Sequence, residues 1–245
     1  MQSVAERLLS VSRTIRIAAP AAQVLAAWSG PLAIARWYVE RRCGDALLDR
    51  PFAWYEPLPA SRAGADAQAD ERPSHVRSLS FLNDGHVAGD ATALRVTIDG
   101  GATGTLLRVD QVGFDPERQG QLPRIASAWA AALVLLKTYV EAGLPRRRQT
   151  TEHALEAPRR SGDFAHAVAS PQAVDAWSGD RCTSLCLNTA HDAVIAFDGL
   201  PGLVSVHLGR RLVVSHTCWR DAPLAGAAAL VSRLAERLGA FVAVR

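Results

Sequence analysis

Leu94, Val96 and Ile98 alternate with Arg95, Thr97 and Asp99, and a short way on Leu107, Val109, Gln111 and Gly113 alternate with Arg108 and Asp110. A period of two places each set on one face of a strand. Asp99, Gly100 and Gly101 lie between the two runs and supply the turn, so residues up to Phe114 read as a hairpin. Earlier strands are predicted at Arg13 to Ala18, where Ile15 and Ile17 share a face, and at Val76 to Phe81, with short candidates at Tyr38 to Arg42 and Pro51 to Glu56. Pro20 suits the first turn of a helix that runs through Gln23 to Trp28 and stops at Gly30 and Pro31. Leu32 to Tyr38 offers a second short helix. The longest helix spans Arg124 to Glu141, its Ile125, Trp129, Leu133, Leu136 and Val140 recurring every three or four residues. Gly143 ends it and Pro145 prevents a restart. Pro57 to His75, rich in Ala, Pro, Asp and Ser, reads as a loop.

Strand, two short helices, antiparallel strands and a closing long helix make an α+β layout. Such a sheet must bury one face under the helix, and a curved sheet leaves a pocket lined from both sides. Residues 11–143 form this first domain. The basic stretch over 144–161, with Arg146, Arg147 and Arg148, reads as a solvated linker. A smaller α+β unit follows over 162–245, with strands at Ser184 to Asn188, Ala193 to Phe197, Leu203 to Leu208 and Leu212 to Trp219, and a last helix from Pro223 to Leu238. Leu212, Val214, His216, Cys218 and Trp219 keep the spacing of Leu107, Val109, Gln111, Gly113 and Phe114. Ser170, Pro171, Val174, Ala176 and Trp177 echo Ala19, Pro20, Val24, Ala27 and Trp28, with the Pro-to-Trp distance shorter by two. This half is therefore read as a degenerate repeat with room for only a reduced sheet.

Ile15, Arg16, Ile17, Ala18, Ala19, Pro20, Val24, Ala27, Trp28, Ser29, Pro31, Ile34 and Trp37, followed by Thr105, Leu107, Val109, Gln111, Gly113, Phe114, Trp129, Leu133, Leu136 and Gly143, resemble the two ends of a START-like (SRPBCC) domain. The likeness is to the branch related to the activator of the heat-shock-protein-90 ATPase. It implies a helix-grip fold, a curved antiparallel sheet wrapped around its C-terminal helix and enclosing an apolar cavity. Two departures stand out. The loop Pro57 to His75 falls where the family has better-formed strands, and Gln111 stands where such proteins often carry histidine, which removes proton transfer but keeps a hydrogen bond.

Trp28, Trp37, Trp54, Leu107, Val109, Trp129 and Leu133 are the candidate ligand contacts, with Gln111 as polar handle. An amide on an apolar face costs free energy unless something bonds to it. Large aromatics also serve as ordinary core, each stabilising by about 2 kcal/mol when buried. No catalytic residue is assigned, and no cofactor motif is found: there is no nucleophile elbow, and Gly100, Gly101 and Gly104 join two strands with no helix to receive a phosphate. Cys182 and Cys186 with His191 lack the ligand spacing of a structural zinc site, so no metal is assigned. Sequence alternation gives no reason for His207, His216, Asp192 and Asp198 to converge.

A net charge of +3 in 245 residues is too small a field for a nucleic-acid partner, and 49% hydrophobic residues are ample for a core. No apolar run reaches the roughly 18 to 20 residues of a membrane span. Met1 to Ser10 lacks the apolar centre of a signal peptide, and the four cysteines read as reduced thiols, so the cytoplasm is the expected address. Lys137 is the only lysine among many arginines, the mark of a GC-rich, bacterial coding bias. The first functional expectation is binding of a hydrophobic or amphipathic small molecule. A co-chaperone or protein-interaction module is the second, and a cyclase or hydrolase of an aromatic substrate the third. Oligomeric state and ligand identity stay open.

Overall fold

The computed structural model describes residues 9–29, 31–34, 36–38, 55–57, 76–83, 92–101, 103–143, 148–157, 161–209, 211–220 and 224–243. Two compact units share the chain, one of residues 1–26 and 50–126, the other of 27–49 and 127–245.

The first unit carries a five-stranded antiparallel sheet in the order β1-β5-β4-β3-β2. Its strands are β1 (Leu9–Ile17), β2 (Tyr55–Pro57), β3 (Val76–Asn83), β4 (Ala93–Gly101) and β5 (Gly104–Phe114). The expected hairpin is β4–β5, with Leu94 opposite Gln111, Val96 opposite Val109 and Ile98 opposite Leu107. On the other side of β5, Val11 lies opposite Gln111 and Ile15 opposite Leu107. Directly opposed residues share a face. The face holding Leu94, Val96, Ile98, Leu107, Val109 and Gln111 is buried. The face holding Ser12, Thr14, Arg16, Arg95, Asp99, Leu106, Arg108 and Val112 is exposed. After β1 the chain turns into α1 (Ala21–Ala27) and α2 (Pro31–Ile34). Gly104 takes φ 121° and lies against the Ile17 carbonyl, where a side chain would collide with backbone.

The second unit repeats the plan. Its sheet runs β6-β10-β9-β8-β7, built from β6 (Arg148–Glu156), β7 (Cys182–Asn188), β8 (Asp192–Phe197), β9 (Leu203–Leu208) and β10 (Arg211–Trp219). In both sheets the first strand pairs with the fifth, and then fourth, third and second follow. Two short helices, α4 (Ser161–Ala167) and α5 (Pro171–Ser178), again separate first strand from second, and a long helix, α6 (Ala227–Ala243), again ends the unit. Ser170 caps α5 by accepting from the Ala173 amide, Pro171 opens it, and Gly179 closes it in the left-handed conformation. Helix α6 packs across β6 and β10. Its Val231, Leu234, Ala235, Leu238 and Val242 join Phe164, Trp177, Ile195, Val204, Val206, Leu212 and Val214 in one apolar core. The fold is the α+β helix-grip plan, with a sheet closed on its C-terminal helix.

Three expectations are corrected. Residues 148–156, within the expected linker, are strand β6, paired with β10 along its full length. That strand makes the second sheet a full five strands instead of a reduced one. The repeat register also differs: Trp177 donates its indole N–H to the Ala167 carbonyl at 3.0 Å, as Trp37 does to Ala27 at 2.9 Å. Trp177 therefore matches Trp37, not Trp28, and Pro171 matches Pro31, which removes the two-residue discrepancy.

The long helix α3 (Leu122–Glu141) holds to its predicted bounds within two residues. Its environment differs from a one-faced amphipathic helix, because Ala131, Ala132, Val134, Leu135 and Tyr139 are buried along with Trp129, Leu133, Leu136 and Val140. A helix apolar all round is one enclosed on all sides. Beyond Ala126 it belongs to the second unit. No helix among the described residues is long and apolar enough to cross a membrane.

Candidate functional site

The expected ligand contacts divide between the two units. Leu107, Val109 and Gln111 stand at alternate positions of β5 on the buried face of the first sheet, Leu107 and Val109 essentially inaccessible and Gln111 6% exposed. Val11 and Leu94 flank Gln111 in the same row. The Gln111 side-chain amide donates to the Thr92 hydroxyl at 3.1 Å, a buried bond that fixes how the amide is turned. Thr105, three rows away, donates to the Ala19 carbonyl at 2.6 Å. The first sheet thus presents a mostly apolar face that also carries the oriented amide of Gln111, the buried Thr105 hydroxyl and, on β1 opposite Val109, Arg13.

Trp28, Trp37, Trp129 and Leu133 are buried in the second unit. The Trp28 and Trp37 rings meet at 5.0 Å, tilted by 57°. Trp54 lies outside the described residues.

The position equivalent to Gln111 in the second sheet is His216, whose Nε2 lies 2.8 Å from the Pro201 carbonyl and donates to it. Each of these polar residues is bonded to the segment leading into the strand beside it, Thr92 before β4 and Pro201 before β9. Burial holds the His216 imidazole below its ordinary pKa, opposed in part by the bond to Pro201. Burial also pushes the Cys182 and Cys218 thiols up, with Asp175 adding to the effect at Cys182. Neither is a thiolate nucleophile near neutral pH.

One constellation escaped the sequence reading. Asp192 and His207 do converge, because the β8–β9 register sets them directly opposite each other. His207 Nδ1 lies 3.0 Å from Asp192 Oδ1, and Ser127 on α3 donates to Asp192 Oδ2 at 2.5 Å. The Asp192 amide donates back to the Thr189 hydroxyl at 2.8 Å. Asp192 is fully buried and His207 nearly so. A carboxylate only accepts, so Nδ1 carries the hydrogen. The signal was present in the symmetry of β8 and β9 about the turn at Gly199 and Gly202; alternation along each strand alone could not show it. The order is serine, carboxylate, imidazole. With the carboxylate in the middle, Ser127 faces the Asp192 carboxylate and not the His207 imidazole, and the arrangement is not the serine–histidine–aspartate order of a nucleophilic triad. It is a polar strut fastening α3 to β8 and β9.

At its other end α3 sets the Tyr139 ring 6.1 Å from Trp219, whose indole N–H donates to the Arg36 carbonyl at 2.7 Å. Both anchors, Asp192 and Trp219, lie on the face of the second sheet opposite the α6 core. That sheet is consequently covered on both sides, by α6 over an apolar face and by α3 over a face carrying Ser205, His207, Ser215 and Thr217, all buried.

No family model matches the chain, and no curated protein is similar to it. Among solved structures, it is similar to the di-domain ARO/CYC BexL from the BE-7585A biosynthetic pathway, at 15% identity over 96% of this chain and 98% of that one, TM-score 0.40. It is similar to DynU16, from the dynemicin biosynthetic locus, at 18% identity over 96% of each chain, TM-score 0.34. An AHSA1-like protein from Rhizobium etli is 23% identical over 58% of this chain and 87% of its own, TM-score 0.35.

Proposed function

We propose that this chain binds a hydrophobic or amphipathic small molecule on the inner face of the first sheet, with Leu107 and Val109 as apolar surface and Gln111 as the polar contact. The observation that carries the reading is the row Val11, Gln111, Leu94: a buried amide set between apolar neighbours and held in one orientation by Thr92. A position needing only packing is served by valine or leucine, as at Val109 and Leu107. An amide there costs about 1–3 kcal/mol in desolvation, offset only as far as it is bonded. Orientation by Thr92 is what a recognition group needs, since a fixed amide selects a ligand oxygen or N–H at one place. Trp28, Trp37, Trp129 and Leu133 are not called on. An amide does not titrate, so binding rather than acid–base chemistry is the role this face supports.

Native mass spectrometry of the protein purified from its own host tests this. The expected spectrum shows a copurified small molecule, with the loaded fraction reduced in Gln111→Leu. An apo mass for wild type, together with no saturable uptake of an added apolar dye, overturns the reading.

A further inference from the structure

Arg13, Ile15 and Ile17 stand at alternate positions of β1 and share one face of the strand. Their partners on β5 are Val109, Leu107 and Thr105, all buried on the inner face of the first sheet. Arg13 is therefore a cation on the face that the proposed function assigns to a ligand. Among the described inner-face residues of β1, β4 and β5 it is the one charged side chain. Val11 and Ile17 on either side are buried, whereas Arg13 is exposed. β1 stands at the end of the strand order. The guanidinium thus lies where the inner face meets solvent, and the charged end of a ligand reaches it without any enclosed space.

Two backbone carbonyls hold the side chain in place. Nε donates to Ala126 near the start of α3 at 3.0 Å, and Nη1 donates to Ser12 at 3.0 Å. Of the five N–H donors of an arginine these take two, which leaves three on the Nη atoms. No carboxylate of the described residues pairs with Arg13. Asp110, on the neighbouring strand, belongs to the opposite face and is paired there with Arg108. The guanidinium is always charged, and its planar fork matches a carboxylate. A neutral ligand laid against Val109 would strip water from this charge and return nothing. An acid group replaces that water with a counter-charge. Gln111 lies on the adjacent row, a diagonal of about 7–8 Å from Arg13, so both polar groups come within reach of one small molecule.

We infer that the molecule bound on this face is an amphipathic carboxylate. Its acid group is held by Arg13 at the β1 edge, and its apolar body lies against Val109 and Leu107. The inference rests on the first-sheet reading and adds the charge of the ligand to it. All of these residues belong to the first unit.

Two fluorescent probes, applied to the full chain, test this: a dansyl-labelled undecanoic acid and its methyl ester, which share a body and differ in charge. Wild type binds the acid about fivefold more tightly than the ester at low salt, the worth of one partly exposed ion pair. The preference shrinks at about 1 M salt. In Arg13→Gln it falls to within about twofold while the ester binds as it does to wild type, and in Arg13→Lys, which keeps the charge, part of it returns. Equal affinity of wild type for acid and ester overturns the inference and leaves the first-sheet reading standing, as does a preference that survives in Arg13→Gln. Loss of both probes in Arg13→Gln and Arg13→Lys alike would make Arg13 a clasp between β1 and α3 and overturn its assignment to the ligand. Saturable binding of neither probe by wild type overturns the inference and the first-sheet reading together.

Discussion

The two sheets have the same strand order and opposite treatment of their outer faces. On the first sheet the outer positions of β4 and β5 are Arg95, Asp99, Leu106, Arg108 and Val112, open to solvent, with Leu106 and Val112 each 40% exposed. On the second sheet the matching side of β10 carries Val213, Ser215, Thr217 and Trp219, all buried. The difference lies in α3, which covers the second sheet and is anchored there through Ser127 and Tyr139. One strand plan can thus serve as a sheet with one buried face or with two. The inner faces differ as well. That of the second sheet is occupied by Phe164, Trp177 and the apolar side of α6, a core made of its own side chains. That of the first carries an amide oriented within apolar neighbours.

The sharpest way to break this comparison is to put a charge at matching outer positions. Val112 on β5 and Thr217 on β10 are equivalent in the repeat. Val112→Asp should change stability by no more than about 0.5 kcal/mol, as exposed substitutions do. Thr217→Asp should cost about 4 kcal/mol or more, because it buries an unpaired carboxylate. Urea denaturation measures both, and equal effects would remove the distinction between the two outer faces.

Asp192→Ala should cost about 3 kcal/mol, since it strands the His207 imidazole in a buried place and leaves the Ser127 hydroxyl only Thr189 as a partner. Asp192→Asn, which keeps an acceptor for one of them, should cost less. If Asp192→Ala is neutral, the strut does not hold α3 to the second sheet.

A smaller effect concerns the two equivalent polar residues on the inner faces, Gln111 and His216. The His216 pKa is depressed in the folded protein, so on acidification the unfolded chain takes up a proton that the folded one declines. The contribution of His216 to stability is then fully present above its unfolded value of about 6.5 and is lost as pH falls from there to the folded value, with a slope of at most about 1.4 kcal/mol per pH unit. His216→Gln, which copies the first sheet, should flatten that slope in denaturation curves recorded between neutral and mildly acid pH. An unchanged slope would place its origin elsewhere.

Much of the architecture was legible from alternation and punctuation. β9 falls on its predicted residues, and the β4–β5 hairpin follows from the period of two around Asp99, Gly100 and Gly101. β6 was hidden because Arg148 to Glu156 has no clean alternation. All but one of its residues are half-buried, and the strand is defined by pairing with β10, a partner far along the chain. The true repeat register was hidden for a similar reason. Trp28 and Trp37 are both reasonable matches for Trp177 by residue type, and only the indole bond to a carbonyl ten residues earlier tells them apart. Leu107, Val109 and Gln111 were correctly placed on one buried face. The Asp192–His207 pair was not found, because contacts across a hairpin depend on register and alternation reports only faces.

The claim that the inner face of the first sheet is the binding face is tested most directly by titrating anilinonaphthalene sulfonate into wild type and into Val109→Trp, with circular dichroism confirming that the variant is folded. The account predicts saturable enhancement of dye fluorescence in wild type and at least tenfold weaker binding in the variant. Equal binding by a folded Val109→Trp would contradict it.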